Sequence, residues 1–442
     1  MRRTLRPARL VALAFALAIL VGAVLLSLPV SRAGDGGGSF LTALFTATSA
    51  VCVTGLIVVD TPTYYSHVGQ VVIAALIQVG GFGIMALTSL LALVVARRLG
   101  LRTRLLAQAE TGTLELGDVR RILLGVAALS LLFETAVAVA LAARLSLGHG
   151  YPLGSAIYRG AFHAVSAFNN AGFALWSDNL SRFVTDGWIM LPVAVAIIAG
   201  GLGFPVWLEL RRRPLAPRRW TLHTKLTLLV TAALVLVGTA AVLGFEWGHP
   251  ETLGALDTKG KLLAGFFQGI TPRTAGFNTL DYNQMEPETL LVSEILMFVG
   301  GASASTAGGI KVTTVALLAL MVYAELRGDT SVNALGRRIP APAQRQALTI
   351  AVLALLAVVA GTLVLMATSP HPLGRALFEA VSAFGTVGLS TGITPELGTV
   401  GKVSLIVLMF VGRIGPHTVG AALVLRERRR LYEQAEERPI VG

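Results

Sequence analysis

The stretch Phe378-Glu379-Ala380-Val381-Ser382-Ala383-Phe384-Gly385-Thr386-Val387-Gly388 decides the fold, because the chain contains three related versions of it. Residues 162–172 share seven of its eleven residues without a gap, and residues 45–55 keep the phenylalanine, two alanines, the serine and the final glycine. Residues 266–276 diverge more but keep the spacing from phenylalanine to glycine. Each version begins like a short helix and ends in small residues, so the sequence predicts four short helices that each lead into a glycine turn.

The composition indicates an integral membrane protein. Hydrophobic residues make up 54% of the chain and charged residues 14%, whereas a soluble domain has about 25% charged residues. Several apolar segments reach the length of about 20 residues that a membrane-spanning helix needs. The predicted fold class is therefore an all-α integral membrane protein.

The formal net charge of +12 is concentrated in arginine clusters at the ends of the apolar segments. Lysine and arginine are enriched in the cytoplasmic loops of membrane proteins, so the clusters predict a cytoplasmic face that also holds both termini. Nucleic-acid binding is the alternative meaning of such a charge, but the position of the clusters at segment ends argues against it. The clusters lie at residues 2–9, 97–104, 211–219, 337–338 and 426–430.

The start of the chain allows two interpretations. Residues 1–33 have a basic beginning and an apolar run, as a cleaved signal peptide does, but the run at 10–30 is longer than a usual signal core. The run also takes the place of the first helix of a repeat, so we expect it to span the membrane. Cys52 is the only cysteine, which excludes an internal disulfide and a cysteine-based zinc site.

The four glycine turns divide the chain into four tandem repeats of helix, pore loop and helix. The predicted repeats are 1–99 with pore loop 39–56, 119–213 with pore loop 155–173, 222–327 with pore loop 258–278, and 344–426 with pore loop 372–390, followed by a cytoplasmic tail at 427–442. The second helix of the second repeat is predicted as one continuous helix over 188–210. Each repeat crosses the membrane twice, so the four copies are parallel and can close into a pseudo-fourfold arrangement around one pore per subunit.

The pore loops are predicted to form an ion filter. Non-helical backbone at membrane depth is tolerated only inside protein or beside water, and four loops that meet on one axis meet that condition. The final glycine of each loop allows a positive φ, which lets successive carbonyls turn the same way, and rings of carbonyls replace the hydration shell of a cation. The alternative is that each small-residue motif is a helix-packing contact. Four motifs at matched positions favour the filter.

The four turns carry a resemblance to a known family. They read Cys52-Val53-Thr54-Gly55-Leu56, Asn169-Asn170-Ala171-Gly172-Phe173, Arg273-Thr274-Ala275-Gly276-Phe277-Asn278 and Gly385-Thr386-Val387-Gly388-Leu389-Ser390. As a set they resemble the degenerate filter loops of the Trk/Ktr/HKT superfamily of potassium transporters, and the length of the chain is most like the bacterial KtrB branch. The resemblance covers nearly the whole chain.

The resemblance implies that potassium is bound at one glycine and two preceding residues of each loop. These residues are Val53, Thr54, Gly55, Asn170, Ala171, Gly172, Thr274, Ala275, Gly276, Thr386, Val387 and Gly388. Some plant HKT members have serine at the first glycine and favour sodium, so four glycines favour potassium. Cys52 departs from the expected threonine or serine, which weakens an innermost side-chain site but not the carbonyl ring.

A run of small residues interrupts the second helix of the third repeat. It consists of Gly300, Gly301, Ala302, Ser303, Ala304, Ser305, Thr306, Ala307, Gly308 and Gly309. Each glycine costs about 1 kcal/mol in a helix interior, so the run fits a loop beside water better than a helix-packing face, which remains the alternative. By the resemblance, this stretch is a gating loop below the filter.

Two cations belong to the predicted gate. Arg413 lies deep in an apolar helix, where a charge is costly and marks a functional site; it either satisfies helix ends or, as the resemblance implies, holds the gating loop closed. Lys311 either lines the inner vestibule or extends to the membrane interface. For Glu134, Glu294 and His163 we expect structural hydrogen bonds rather than ion handling.

The function expected from the loops and the resemblance is potassium uptake across the cytoplasmic membrane, driven by the electrochemical gradient. The resemblance adds a homodimer in lipid, sodium as an activating ion, and regulation by a cytosolic nucleotide-binding ring of the KtrA/TrkA type. The chain has no ATP-binding Gly-x-x-x-x-Gly-Lys-Ser/Thr motif, and no organic cofactor or nucleic-acid partner is expected.

Three alternatives remain open at this stage. A less selective sodium/potassium transporter and a rocking secondary transporter belong to the same membrane class, although rocking transporters often have inverted repeats. An intramembrane serine protease using Ser303 or Ser305 with His417 is a different class. It would not need four matched loops, and neither Ser303 nor Ser305 lies in a Gly-x-Ser-x-Gly motif, so we do not expect an enzyme.

Overall fold

Long apolar helices alternate with short helices along the chain, and the short helices lie at the glycine turns. The computed structural model describes residues 7–34, 38–98 and 116–425. Most of the first and last arginine clusters, the arginines at 102 and 104, and the predicted tail at 427–442 lie outside these residues.

The described helices follow in chain order. They are α1 (Pro7–Ser27), α2 (Phe40–Val51), α3 (Thr61–Tyr64), α4 (His67–Arg98), α5 (Leu116–His149), α6 (Leu153–Phe168), α7 (Gly187–Leu202), α8 (Phe204–Arg212), α9 (Leu222–Glu246), α10 (Thr258–Ile270), α11 (Pro287–Phe298), α12 (Val312–Leu326), α13 (Ala341–Thr368), α14 (Leu373–Gly385) and α15 (Thr399–Leu425). Short 3-10 helices lie at Pro29–Ser31, Ser181–Phe183, Pro217–Arg219, Leu253–Ala255, Tyr282–Gln284 and Thr394–Glu396.

The helices confirm the predicted all-α membrane class. Five helices within the described ranges are long and apolar enough to cross a membrane, and the bent pair of α7 and α8 brings the number to six. The only strands in the described part are two-residue segments, β1 (Asn333–Ala334) and β2 (Arg337–Arg338), which pair antiparallel. Leu335 and Gly336 between them both have positive φ, as the tightest hairpin turns require.

The short helices α2, α6, α10 and α14 are held between long helices. Each packs against the long helix that precedes it, and the last turns of all four are buried. Contacts between successive groups close a ring, because α4 meets α6, α7 meets α10, α11 meets α14, and α15 returns to α2. The C-terminal ends of the four short helices therefore converge on one region.

The prediction of one continuous helix over 188–210 is wrong. Helices α7 and α8 meet at Gly203 with a bend of 97°. Gly203 has a φ of 82°, a conformation that glycine adopts without steric cost. The next residue, Phe204, donates its backbone N–H to the carbonyl of Ala304 at 3.2 Å. The helix therefore turns aside because the interrupted segment of the third predicted repeat occupies its path.

Glycines in the long helices allow these helices to lie directly against the backbone at the ends of the short helices. A Cβ atom built on these glycines would lie only 1.8–2.0 Å from a backbone oxygen at the end of a short helix. The pairs are Gly80 with Val51, Gly200 with Phe168, and Gly412 with Phe384. Only glycine fits at these contacts, because the clashing atom belongs to the backbone and has no side-chain freedom to move away.

We expect Gly80→Ala to lower the free energy of unfolding by about 1–3 kcal/mol, the usual cost of overpacking a buried contact. Gly83 in the same helix is the matched control, since a Cβ there would lie 3.8 Å from the ring of Phe15. Thermal unfolding of purified protein in detergent measures both. Equal melting temperatures for the two alanine variants would contradict the close approach at Gly80.

Candidate functional site

Four glycines form a closed ring where the short helices converge. A Cβ built on each would lie 2.1–2.9 Å from a carbonyl oxygen of the next loop. The contacts are Gly55 with Ala171, Gly172 with Ala275, Gly276 with Val387, and Gly388 with Thr54. We call these four glycines the glycine ring. The loops are close enough that no side chain fits between them at this level.

The backbone conformation repeats in all four loops. Each ring glycine has a φ between 68° and 94°, and the residue two positions before it also has a positive φ. Those residues are Val53 at 57°, Asn170 at 59°, Thr274 at 69° and Thr386 at 51°. In each loop, two residues with positive φ flank one residue with negative φ. Such an alternation turns successive N–H groups toward one side of the chain, so the carbonyl groups point to the other side. The strain is notable at Val53, Thr274 and Thr386, because a β-branched residue rarely adopts positive φ.

A hydroxyl group at the end of each short helix fixes the turn. In the first and fourth loops, Ser49 and Ser382 accept the N–H of Gly55 and Gly388 at 3.0 and 3.1 Å. In the second loop, Ser166 donates to the carbonyl of Phe173 at 2.8 Å. These bonds hold the glycine ring from the short-helix side.

The third loop has a different alignment from the one predicted. The gap-free comparison pairs Phe266 with the other loop phenylalanines, but Phe267 is the residue buried at 1% exposure, while Phe266 is half-buried. Thr271, four residues after Phe267, donates to the carbonyl of Phe277 and so takes the place of the serine. The third loop is therefore one residue shorter between this hydroxyl and its glycine. The absence of the serine from residues 266–276, where the other three strings have it, was the available signal.

All the predicted ion-binding residues lie in or directly before the glycine ring, and their side chains are buried. Among the described residues, four polar side-chain atoms in this set are buried without a hydrogen-bond partner. They are the hydroxyls of Thr54, Thr274 and Thr386 and the Oδ1 atom of Asn170. Buried polar oxygens without a partner are costly, so their presence at the ring fits a site that receives a cation or water.

A cavity of about 460 Å³ lies on one side of the ring, which we call the outer side. Its lining includes the four ring glycines and three carboxylates from the segments that follow the first three turns: Asp60, Asp178 and Asp281. These three carboxylates were not predicted from the sequence, although each aspartate comes five or six residues after its glycine. The fourth loop contributes Ser390 and Pro395 instead.

Hydrogen bonds orient the carboxylates of the cavity. Asp60 accepts from Ser177 and Thr63, both at 2.7 Å. Asp178 forms an ion pair of 2.7 Å with Arg182. Burial acts to raise the pKa of the Asp178 carboxyl, but the hydrogen bond and the positive charge of Arg182 outweigh it, and the pKa lies below its ordinary value. The carboxylate therefore stays ionised at neutral pH.

The broken segment, residues 299–311 between α11 and α12, lies on the other side of the ring. Its ends are joined by bonds from Gly300 to Ile310 at 2.8 Å and from Val312 to Gly301 at 3.1 Å. Its middle is held by the end of α7, where the carbonyls of Gly200 and Gly201 accept backbone N–H groups of the segment at 3.2 and 2.9 Å. The predicted gate residues are thus a folded hairpin-like loop.

The broken segment touches two of the four loops. The Thr306 hydroxyl donates to the carbonyl of Phe168 and accepts from the side-chain amide of Asn170, both at 3.1 Å. A Cβ built on Gly308 would lie 1.9 Å from the hydroxyl oxygen of Thr386. The segment therefore lies directly against Asn170 and Thr386, two of the four residues that carry unpaired oxygens.

Two buried cations hold the broken segment. Arg413 is 1% exposed; its Nη1 donates to the carbonyl of Thr306 and its Nη2 to the carbonyl of Gly80 at 3.1 Å. Lys311 is 5% exposed and donates to the carbonyls of Ala307 and Gly308 at 2.6 and 3.2 Å. Lys311 folds back onto the segment, and Arg413 links the segment to α4.

Three of the other polar residues considered in the sequence, Glu134, His163 and Ser305, have local partners. Glu134 accepts from the side chain of Asn169 at 3.1 Å, and His163 contacts the Arg159 carbonyl at 2.7 Å. Ser305 donates to the Ala302 carbonyl at 2.6 Å, which engages the hydroxyl that a protease would need free. Glu294 is 9% exposed, and the His417 side chain lies outside the described residues.

Arg273 is a buried cation that the sequence analysis quoted but did not select. It lies in the turn of the third loop, is 6% exposed, and its Nη2 is 3.5 Å from the Thr231 hydroxyl of α9. Arg273 lies three residues after the C-terminal end of α10, where the partial negative charge of the helix favours a cation.

Comparisons with known proteins agree on one family. Residues 34–428 match the family model TrkH, described as cation transport protein. The Ktr system potassium uptake protein B of Bacillus subtilis is 42% identical over 93% of this chain and 92% of that protein, and its namesake in Vibrio alginolyticus is 38% identical over 98% and 94%. The potassium/sodium uptake protein NtpJ of Enterococcus hirae is 37% identical over 100% and 98%. The crystal structure of the potassium transporter TrkH from Vibrio parahaemolyticus has the same fold, with a TM-score of 0.72, 19% identity, and coverage of 97% of this chain and 86% of that chain.

Proposed function

The chain belongs to the TrkH family of cation transport proteins, and from this premise we propose that it is the membrane subunit of a Ktr-type system that takes up potassium. The observation that carries the proposal is the glycine ring, in which four strained turns bring their backbones together. The four predicted repeats, 1–99, 119–213, 222–327 and 344–426, are proposed as the units that surround this pore.

In the proposed mechanism, the carbonyls of the two residues before each ring glycine replace the water around a potassium ion. The unpaired hydroxyls of Thr54, Thr274 and Thr386 add oxygen atoms at the same level or just below it. A membrane potential of 100 mV contributes about 2.3 kcal/mol per ion moved across the full field. Inward movement then needs no chemical energy from this chain.

The acidic cavity supports entry of the cation from the cavity side of the ring. Ionised carboxylates in a confined opening raise the local concentration of cations and their rate of association. Asp60, Asp178 and Asp281 come from three different loops, so a cation is attracted toward the centre rather than to one side.

The broken segment is the proposed gate. Residues 300–309 lie against the ring, and Lys311 and Arg413 place two positive charges on their carbonyls. Both charges oppose the passage of a cation, and both hold the segment in place. Release of Arg413 from Thr306 is the proposed opening step.

The assembly is proposed from the relatives and the surface. A Ktr system, as the relatives are named, has more than one component, and the exposed arginines at 211–213 and at Arg218 and Arg219 offer a basic surface for an acidic cytosolic partner. We place the chain in the cytoplasmic membrane as a homodimer, with both termini in the cytoplasm and a nucleotide-binding ring of the KtrA/TrkA type as regulator. Sodium is proposed as an activating ion.

A less selective sodium/potassium transporter is the second candidate. The specific observation in its favour is the relative NtpJ, which is named for both ions. The four ring glycines favour potassium, because none of them narrows the ring with a side chain.

The central prediction is that liposomes containing the purified chain take up potassium down an imposed potential, at a rate that saturates with potassium concentration. Growth at low potassium of cells that lack their own uptake systems, with sodium varied, gives the same answer in vivo. Equal uptake of sodium and potassium would replace the proposal with the second candidate, and no uptake of either would refute both.

Gly55→Ser is expected to reduce the preference for potassium over sodium by about tenfold, equivalent to 1.4 kcal/mol. A Cβ at this position would lie 2.4 Å from the Ala171 carbonyl, and the φ of 92° is strained for any side chain. Gly374→Ser is the control, because nothing lies within 4 Å of a Cβ there. Competition of sodium with potassium uptake is the measurement. An unchanged ratio would show that the first loop does not line the ion path.

Arg413→Ala is expected to increase ion flux severalfold without a change in the potassium/sodium ratio. The substitution removes the bonds to Thr306 and Gly80 and leaves the ring residues in place. Flux in liposomes is the readout, with the exposed Arg345→Ala as control. Unchanged or lower flux in well-folded protein would contradict the proposed latch.

A further inference from the structure

Each short helix carries a buried polar residue directly after its buried phenylalanine. The four residues are Thr46, His163, Gln268 and Glu379. All four are at most 2% exposed, although polar side chains are seldom so completely buried without a specific partner. The corrected alignment of the third loop is needed to see the pattern, since it pairs Gln268 with the other three.

In three loops this residue bonds to the outer limb, the chain segment that follows the ring glycine. His163 Nε2 accepts the backbone N–H of Leu175 at 3.1 Å, and Gln268 Oε1 accepts from the Thr279 hydroxyl at 3.2 Å. Both partners lie three residues after their ring glycine. The side chain thus connects the short helix to the outer limb behind the ring.

Glu379 makes the most extensive contact of the set. Its Oε1 accepts from the Ser390 hydroxyl and its Oε2 from the Thr394 hydroxyl at 2.9 Å. Ser390 lies two residues after Gly388, and its hydroxyl also accepts the N–H of Gly392 at 2.9 Å. The carboxyl group therefore fixes two points of a limb that otherwise has no regular structure up to the short helix at Thr394–Glu396.

The first loop departs from the pattern. Thr46 accepts from the hydroxyl of Tyr65 at 3.0 Å, and Tyr65 lies ten residues after Gly55. The outer limb of the first loop is fixed instead through Asp60 and its bonds to Thr63 and Ser177. The short side chain of Thr46 does not reach the limb itself.

We propose that Glu379 is a specificity-determining positioning residue, which holds the outer limb of the fourth loop so that the carbonyl of Val387 keeps its place in the ring. The inference rests on the proposed function. Gly388 is bonded on the inner side through Ser382 at 3.1 Å, and Glu379 fixes the chain on the outer side two residues later. With one side released, the ring can contract around a smaller ion, and the preference for potassium falls.

The geometry of the ring transmits a displacement of the fourth loop to the loops beside it. The Val387 oxygen would lie 2.3 Å from a Cβ on Gly276, and a Cβ on Gly388 would lie 2.1 Å from the Thr54 oxygen. A displacement of the fourth loop therefore reaches both of its neighbours. Helix α14 itself does not depend on the carboxyl group, because Phe378 and Phe384 on either side of it are buried in the core.

The test compares Glu379→Ala with Glu379→Gln in the full-length chain in liposomes. We expect Glu379→Ala to lower the potassium/sodium preference about tenfold, because the hydroxyls of Ser390 and Thr394 both lose their carboxyl acceptor. Glu379→Gln keeps one acceptor oxygen and the shape of the side chain, so its loss should be within about threefold. The KM for potassium is expected to rise more than the maximal rate falls, which a general folding defect would not produce.

Thr362→Val is the matched control, because Thr362 is also a buried polar residue but bonds to Val358 of its own helix. If Glu379→Ala is not recovered from membranes, Thr394→Val is measured in its place. Thr394→Val removes one bond to Glu379, so we expect the potassium/sodium preference to fall about threefold. Unchanged selectivity in Glu379→Ala, or in Thr394→Val where only that variant can be measured, overturns the inference. Failure of the proposed function is distinguishable, since the unsubstituted chain would then show no preference for potassium.

Discussion

The rest of the structure depends on the close approach of four backbones at the glycine ring. A side-chain carbon on any ring glycine would overlap a carbonyl oxygen of the neighbouring loop, so the loops meet through backbone alone. In a membrane interior this is a demanding arrangement, because backbone polar groups there need partners inside the protein or water beside them. The short helices, the serine and threonine hydroxyls, and the glycine contacts at Gly80, Gly200 and Gly412 all serve to hold backbone in this position.

The ring also separates two regions of opposite charge. Three aspartates line the cavity on the outer side, while Lys311 and Arg413 lie on the segment that covers the inner side. A cation at the ring is therefore attracted from one side and opposed on the other. In the described part of the chain, the two inner cations donate to backbone carbonyls rather than to carboxylates, so their charge is balanced only by dipoles. Displacement of the segment would move both charges together.

The sequence was sufficient for the membrane class, the four glycine turns and the family, because each depends on a strong local pattern repeated along the chain. It was insufficient where a contact between distant segments decides the local structure. The bend at Gly203 results from the Ala304 carbonyl, one hundred residues later. The shift from Phe266 to Phe267 follows from a one-residue shortening that a gap-free comparison conceals. The positive φ at Val53 contradicts local preference and is imposed by the neighbouring loops.

The contacts of Thr306 link the proposed gate to the proposed filter. Its carbonyl accepts from Arg413, and its hydroxyl bonds both to the end of α6 and to Asn170, a ring residue of the second loop. Any movement of the segment that breaks the Arg413 bond also strains or breaks the bond to Asn170. Conversely, a change in the second loop alters the position of Thr306 and the geometry of its bond to Arg413. In the proposed mechanism, opening and ion binding are then coupled through one residue, by the reciprocity that links any two sites sharing an equilibrium.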